Sequence, residues 1–420
     1  MRLLVVTHTF PPSLYTTAKR PFYVVKGCLE AGWRVDVVTS QIGVQSGAVE
    51  TLTHPALSVR RCEDPADRFC QLFTRIYPAY RAVSLAVHGL LWPDEFVFWS
   101  LQALRFAHRH AAEYDAVLLF VLPASLLLAG CSSRLAGPRW VFDMQESVTP
   151  FYRQLPRRSP LQRGLLPTLG KLERRTLHRA GRVIFTAEVN RQTYLREGLV
   201  APDITAHIPY FFDADAFQMP TRPAANRFQI GYFGTFDWRG ARTPETFLRA
   251  LARFLEQRPE ARARTRFLFH GLWLPEHNDF IAELKLQDVV SLQVAVPYEK
   301  YLRLLEESSV LLLVVSALHS LFMPSKIVDY LGVGRPILAF APRDSEMRQV
   351  LETAGMGAFA SDERDVAGGA AALEQLWDHH QAGISACDAA KTRFWSSETQ
   401  VPRYLELVTQ VAGAARKRLT

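Results

Sequence analysis

Along nearly its whole length the chain alternates short β-branched runs with longer stretches at helical spacing, the pattern of a mostly parallel α/β sheet. In the first half the strand candidates are Leu3–His8, Val35–Ser40, Ala116–Val121, Arg139–Met144, Val183–Ala187 and Thr205–Pro209. In the second they are Phe228–Gly234, Arg266–Gly271, Val289–Val294, Val310–Val315 and Pro336–Phe340. Many are apolar at almost every position, which a strand covered by helices on both faces requires. Thr243–Glu256, Tyr298–Glu307 and Ser325–Gly332 read as helices between them, and Thr399–Arg418 as a final one.

The two series part at MPTRPAANR, residues 219–227, whose prolines and small polar residues suit a linker. The expected organisation is an N-terminal domain over 1–222, a second over 223–395, and a helical segment, 396–420, packing back toward the first. Two open sheets bind ligands at the carboxyl ends of their strands, so a cleft between the domains is expected and motifs at strand ends carry most weight.

Charge divides the chain unevenly. Residues 1–222 hold 26 Lys or Arg against 18 Asp or Glu, and the remainder holds 23 of each, so the whole net charge of +8 lies in the first half. Between Arg153 and Arg182 nine basic residues face one acidic residue, Glu173, with Leu155, Leu161, Leu165 and Leu166 interspersed. That stretch reads either as a solvated helix face or as a surface for an anionic membrane. Nucleic acid is not expected, because no recognition module or aromatic interleaving accompanies the basic run. Five cysteines without a Cys-x-x-Cys pair argue against a disulfide framework or thiolate zinc site and point to a reducing cytoplasm. The opening MRLLVVTH reads as a strand rather than a secretory signal. The longest uncharged apolar run, Ala116 to Ser133, contains Pro123 and Gly130, and reads as a strand turning into a helix rather than a membrane span.

Several strand ends carry chemistry. Ser325-Lys326 opens a predicted helix, where backbone amides, the helix dipole and the lysine charge suit a diphosphate; an N-cap serine beside a solvated Lys/Asp pair is the structural reading. Asp329, one turn on, is placed to accept from ribose hydroxyls. Gly234 and Thr235 end a strand, either as a close approach to phosphate or as a plain turn. Asp143 and Glu146 lie at and just after the end of the strand RWVFDM, where carboxylates either carry acid–base or charge-stabilising chemistry or cap a turn. His270 ends RFLFH, as a site residue or an edge histidine. Asp213-Ala-Asp215 copies a metal motif but sits in a turn, and His108 with His110 and His379 with His380 lack metal spacing and read as solvated, so no metal is expected.

Four stretches, taken in order, resemble retaining glycosyltransferases of the GT-B fold, family four, in the form found in bacterial polysaccharide biosynthesis. They are MRLLVVTHTFPP with GCLEAGWRVDVVTS, VIFTAEVNRQTYLREG with IPYFFDADAF, QIGYFGTF, and MPSKIVDYLGVGRPILAF. The resemblance implies two Rossmann-like domains facing each other across a cleft. It implies transfer of a sugar from a nucleotide-sugar to an acceptor hydroxyl, on a glycan or lipid-linked precursor, with retention and without metal or other cofactor. It implies donor binding by Gly234, Thr235, His270, Ser325, Lys326 and Asp329, with Arg239 or Arg242 as the basic residue after the loop. Acceptor binding falls to Tyr15 and Thr16, catalysis to Asp143, Glu146 and Lys326. The implied location is cytoplasmic, peripheral on the inner membrane face. The chain departs from the family at Leu321, eight residues before Asp329, where a first glutamate is usual. PSLYTTAKR, residues 12–20, replaces the glycine-rich acceptor loop. A nucleotide-sugar 2-epimerase and a non-catalytic binding protein of the same fold are the alternatives.

Overall fold

All eleven strands expected from the sequence form, and each belongs to one of two wholly parallel sheets. The computed structural model describes residues 1–13, 15–44, 52–65, 91–131, 137–155, 160–217, 226–236, 242–294, 296–384 and 389–417.

The first compact unit comprises Met1–Tyr210 and Gln400–Thr420. Its strands are β1 (Arg2–Val6), β2 (Arg34–Ser40), β3 (Leu57–Cys62), β4 (Ala116–Phe120), β5 (Trp140–Met144), β6 (Arg182–Phe185) and β7 (Thr205–His207), in the order β3-β2-β1-β4-β5-β6-β7. β4 and β5 are buried at every residue. They meet a core that includes Leu4, Trp99, Leu119, Phe142, Phe185 and Tyr194. Each such side chain contributes about 1.5–3 kcal/mol by leaving water.

The second unit, Phe211–Thr399, has strands β8 (Phe228–Thr235), β9 (Thr265–Leu272), β10 (Val290–Gln293), β11 (Val310–Val314), β12 (Ile337–Phe340) and β13 (Ala360–Ser361), ordered β10-β9-β8-β11-β12-β13. Phe228, Phe254 and Trp377 form the centre of its core, where the helices Glu245–Gln257 and Val366–Ala382 pack together.

The units change over at Tyr210–Phe211 instead of at 222–223. The reason is aromatic. Phe212 pairs with Ser396 and donates its amide to the Trp395 carbonyl, and Phe217 packs against Phe212 and Gly332. Residues 218–225, most of the expected linker, lie outside the described residues. The chain returns to the first unit at Gln400, inside the helix Ser397–Lys417.

In each sheet the strand order reverses beside the first strand of the unit, at β1/β4 and at β8/β11. The carboxyl ends of those neighbours diverge and leave an opening for a ligand. Among the described residues no helix is long and apolar enough to cross a membrane.

Candidate functional site

At the β8/β11 reversal, β8 ends in Gly234 and Thr235. Gly234 has φ +148° and pairs with Gly271 of β9, which has the same φ. A side chain on Gly271 would run into the Gly234 carbonyl, so these strand ends lie together only as glycine beside glycine. A Cβ on Gly234 would stand 3.3 Å from Lys326 Nζ, so the lysine uses the space that the missing side chain leaves.

Lys326 opens the helix Lys326–Val333, and its Nζ sits 4.0 Å from the centroid of the Tyr232 ring. Ser325 holds the N-cap position without a side-chain bond into the helix. Desolvation, joined by the charge of Arg242, pushes the Lys326 pKa down to about 7. Among the described residues no carboxylate pairs with Lys326, and Arg242 Nε is buried without a hydrogen-bond partner. Lys326 and the buried Nε of Arg242 thus share one place with no carboxylate beside them among the described residues, a setting that a compact anion would complete.

Asp329 is buried and accepts from the Tyr301 hydroxyl, 3.1 Å from Oδ2. Tyr301 stands edge-on to Phe233 at 5.3 Å, and Phe233 stacks on His270 at 5.7 Å. His270 donates Nδ1–H to the Val294 carbonyl at 3.0 Å. Gly234, His270, Lys326 and Asp329 are therefore gathered around the Tyr232–Phe233 strand end, with Thr235 exposed just beyond. Arg239 lies outside the described residues. Leu321 is buried.

In the first unit, Asp143 has no solvent exposure. Arg20 Nε donates to both its oxygens, at 3.2 and 2.9 Å, and the Tyr404 hydroxyl donates to Oδ2 at 2.8 Å. The remaining Arg20 nitrogens donate to the Pro209 and Ile208 carbonyls, at 2.7 and 2.9 Å. The carboxylate expected to meet the sugar is thus committed to a buried ion pair.

Glu146 is exposed instead, and desolvation by its surroundings raises its carboxyl pKa. Its turn is braced from below: Tyr194 donates to Glu173 and accepts from the Val148 amide, and the Thr149 amide donates to Glu173. Tyr15 and Thr16 are exposed on the loop after β1, with the Tyr15 ring lying over Gly43. Arg61 ties that loop down through the Pro11 carbonyl at 2.5 Å. His8, between Phe96 and Trp99 at 4.2 and 4.8 Å, is desolvated to a pKa of about 4 and is neutral at pH 7.

Sequence reasoning missed Arg20, Glu173, Tyr301 and Tyr404. Arg20 carried one signal, a charge at the start of a helix whose following turns are largely apolar. Asp213 accepts from the Asp215 amide at 3.1 Å, within a turn. His379 and His380 are half-buried against Phe359 and Phe228 rather than solvated. Among the described residues no three His, Cys, Asp or Glu side chains gather as metal ligands.

No protein-family model and no curated protein sequence matches the chain. Solved structures do. Sucrose-phosphate synthase from Thermosynechococcus elongatus aligns over 98% of this chain and 99% of its own, with TM-score 0.66 and 16% identity. Anabaena HepE in complex with UDP aligns over 98% and 100%, with TM-score 0.61 and 14% identity. WaaG, a glycosyltransferase involved in lipopolysaccharide biosynthesis, aligns over 98% of both chains, with TM-score 0.59 and 12% identity. The fold is that of these GT-B structures: α/β, with two parallel sheets.

Proposed function

We propose that the chain is a glycosyltransferase that moves a sugar from a nucleotide-sugar to an acceptor hydroxyl with retention of configuration. The observation that carries this reading is the unpaired cation pair Lys326 and Arg242 at the end of β8. The fold shared with HepE, whose structure holds UDP, supports it.

In this reading Lys326, Arg242 and the start of the Lys326 helix hold the donor diphosphate, and Gly234 leaves room for it. Asp329, oriented by Tyr301, accepts from the ribose hydroxyls, and the Phe233–His270 pair walls the same pocket. The acceptor oxygen bonds to the anomeric carbon as the bond from that carbon to the diphosphate breaks, on the same face. The acceptor proton passes to the departing phosphate, whose growing charge Lys326 and Arg242 stabilise. No step requires a metal or other cofactor. Tyr15, Thr16 and Glu146 receive the acceptor, and Asp143, held by Arg20 and Tyr404, anchors the end of β5 three residues before Glu146 rather than touching sugar.

The acceptor class that fits the first unit is a lipid-linked glycan at an anionic membrane surface on the cytoplasmic side. Arg163, Lys171, Arg174 and Arg175 are exposed on the helix Pro160–Leu177, while Glu173, its one acidic residue, is fully buried.

Incubation with a panel of UDP-, GDP- and ADP-sugars, with and without lipid-linked acceptors, tests the reading. Transfer or slow donor hydrolysis is expected from one of them. Neither turnover nor binding of any nucleotide would remove it.

A further inference from the structure

The helix Pro160–Leu177 carries a single acidic side chain, Glu173, and buries it completely. Leu169 and Leu177 join the first core on the same side, while Lys171, Arg174 and Arg175 stay in solvent. Among the described residues no cation forms an ion pair with Glu173. Burial raises its carboxyl pKa, and Arg153, which lends some charge, is bonded to Glu197 instead, at 2.6 Å. A carboxylate left in a core without a cation is costly, and packing alone is served better by an apolar side chain.

Both oxygens of Glu173 are engaged by the turn after β5 and its neighbour Tyr194. Oε2 accepts from the Thr149 amide at 3.1 Å, and Oε1 from the Tyr194 hydroxyl at 2.5 Å. That hydroxyl accepts in turn from the Val148 amide at 2.9 Å. Gly170 keeps helix and turn close, since a Cβ there would stand 3.3 Å from the Thr149 methyl. On the other side of the turn, Thr186 Oγ1 donates to the Gln145 carbonyl at 2.9 Å, and the Tyr210 hydroxyl to Gln145 Oε1 at 3.4 Å. Gln145, Ser147, Val148 and Thr149 are all buried. Glu146 alone projects, and it makes no hydrogen bond or ion pair with a described residue.

We infer that Glu173 is a positioning residue for the acceptor: it fixes the backbone of this turn so that the Glu146 carboxylate meets the acceptor hydroxyl in one orientation. The inference rests on the glycosyl-transfer reading above and on the place of Glu146 within it. Glu173 acts only through Val148 and Thr149, and the donor residues belong to the second unit. Its loss therefore slows transfer and leaves donor affinity alone.

Steady-state kinetics with the UDP-, GDP- or ADP-sugar and the lipid-linked acceptor that the wild type uses test this. Glu173→Ala is expected to lower the kcat of transfer roughly ten- to 100-fold, the cost of a misplaced reacting group, with the donor KM unchanged. Glu173→Gln, which still accepts from the Thr149 amide, should recover part of the rate. Tyr194→Phe should share the defect, and combining it with Glu173→Ala should add little, because both act on one network. Thr176→Val serves as the control for packing. Thr176 is buried on the same helix, but its hydroxyl donates to the Leu127 and Leu172 carbonyls rather than to the turn, so transfer should stay at the wild-type rate. Wild-type kcat in Glu173→Ala, or a loss in Thr176→Val as large as in Glu173→Ala, would overturn the positioning role while the glycosyl-transfer reading stands. Should Glu173→Ala fail to fold, wild-type kcat in both Glu173→Gln and Tyr194→Phe would overturn it equally. A wild type that turns over no donor removes the glycosyl-transfer reading itself, and this role with it.

Discussion

Lys326 holds its ammonium 4.0 Å over the ring of Tyr232, against a glycine and with no carboxylate partner among the described residues. A cation placed this way gains little from the fold and much from an arriving anion. Lys326→Ala is expected to weaken donor binding or transfer by roughly ten- to 150-fold, the value of a charge-assisted bond of about 1.5–3 kcal/mol. Lys326→Arg should restore only part of it. Unchanged kinetics in Lys326→Ala would take the residue out of the site.

The same lysine makes donor binding proton-linked. With its pKa near 7 in the free protein, Lys326 is largely neutral above pH 7. A bound diphosphate favours the charged form and raises that pKa, so binding at pH 8 takes up protons. Calorimetry in buffers of different ionisation enthalpy measures the uptake, which Lys326→Met should abolish. The ligand-free protein shows the companion effect. Its folded-state pKa lies below the unfolded one, so the unfolded chain binds more protons between pH 7 and about 10.4, and this residue's contribution to stability rises with pH there.

Gly271→Ala should be costly. The position combines φ +148° with a Cβ path into the Gly234 carbonyl, so strain of about 1–3 kcal/mol is the least expected. Urea unfolding should show the midpoint falling, and the separation of β8 from β9 should disturb Lys326 as well. A midpoint equal to wild type would contradict the strand-end geometry.

Much of this architecture is readable before any coordinates. Runs such as AVLLF and VLLLV read as strands buried on both faces, and both are buried at every residue. β3 was not readable. Its residues LSVRRC form an edge strand that is partly exposed along its length, so its two arginines break the apolar pattern that betrays a central strand. Asp143 was found but its partners were not, because Arg20 and Tyr404 are separated from it by 123 and 261 positions. No local spacing encodes such a contact.

Arg20→Met should strand the Asp143 carboxylate away from water, at a cost of about 3–5 kcal/mol. Pairing it with Asp143→Leu should cost much less than the two single changes added together. Denaturant unfolding of the four proteins closes this cycle, and strict additivity would show that the pair is not coupled.

The exposed basic face of the helix Pro160–Leu177 predicts salt-sensitive attachment to membranes. At about 1 kcal/mol per basic residue near an anionic leaflet, its four exposed cations would give reversible binding. Co-sedimentation with anionic but not neutral liposomes is expected, with release at high salt. Equal recovery in solution with both vesicle types would count against a membrane-bound acceptor.

The Arg20–Asp143 pair also marks where this protein can be cut and rejoined. Arg20 grips the carbonyls of Ile208 and Pro209, just before the chain leaves the first unit at Tyr210. Tyr404 bonds Asp143 just after the chain re-enters at Gln400. Both passages are thus moored to one buried point belonging wholly to the first unit. A graft that replaces 211–399 with the matching segment of another GT-B protein leaves that mooring whole, whereas a seam at 205 or 405 divides it between parents. Chimaeras joined at 210/211 and 399/400 should fold, and those joined at 205 or 405 should not.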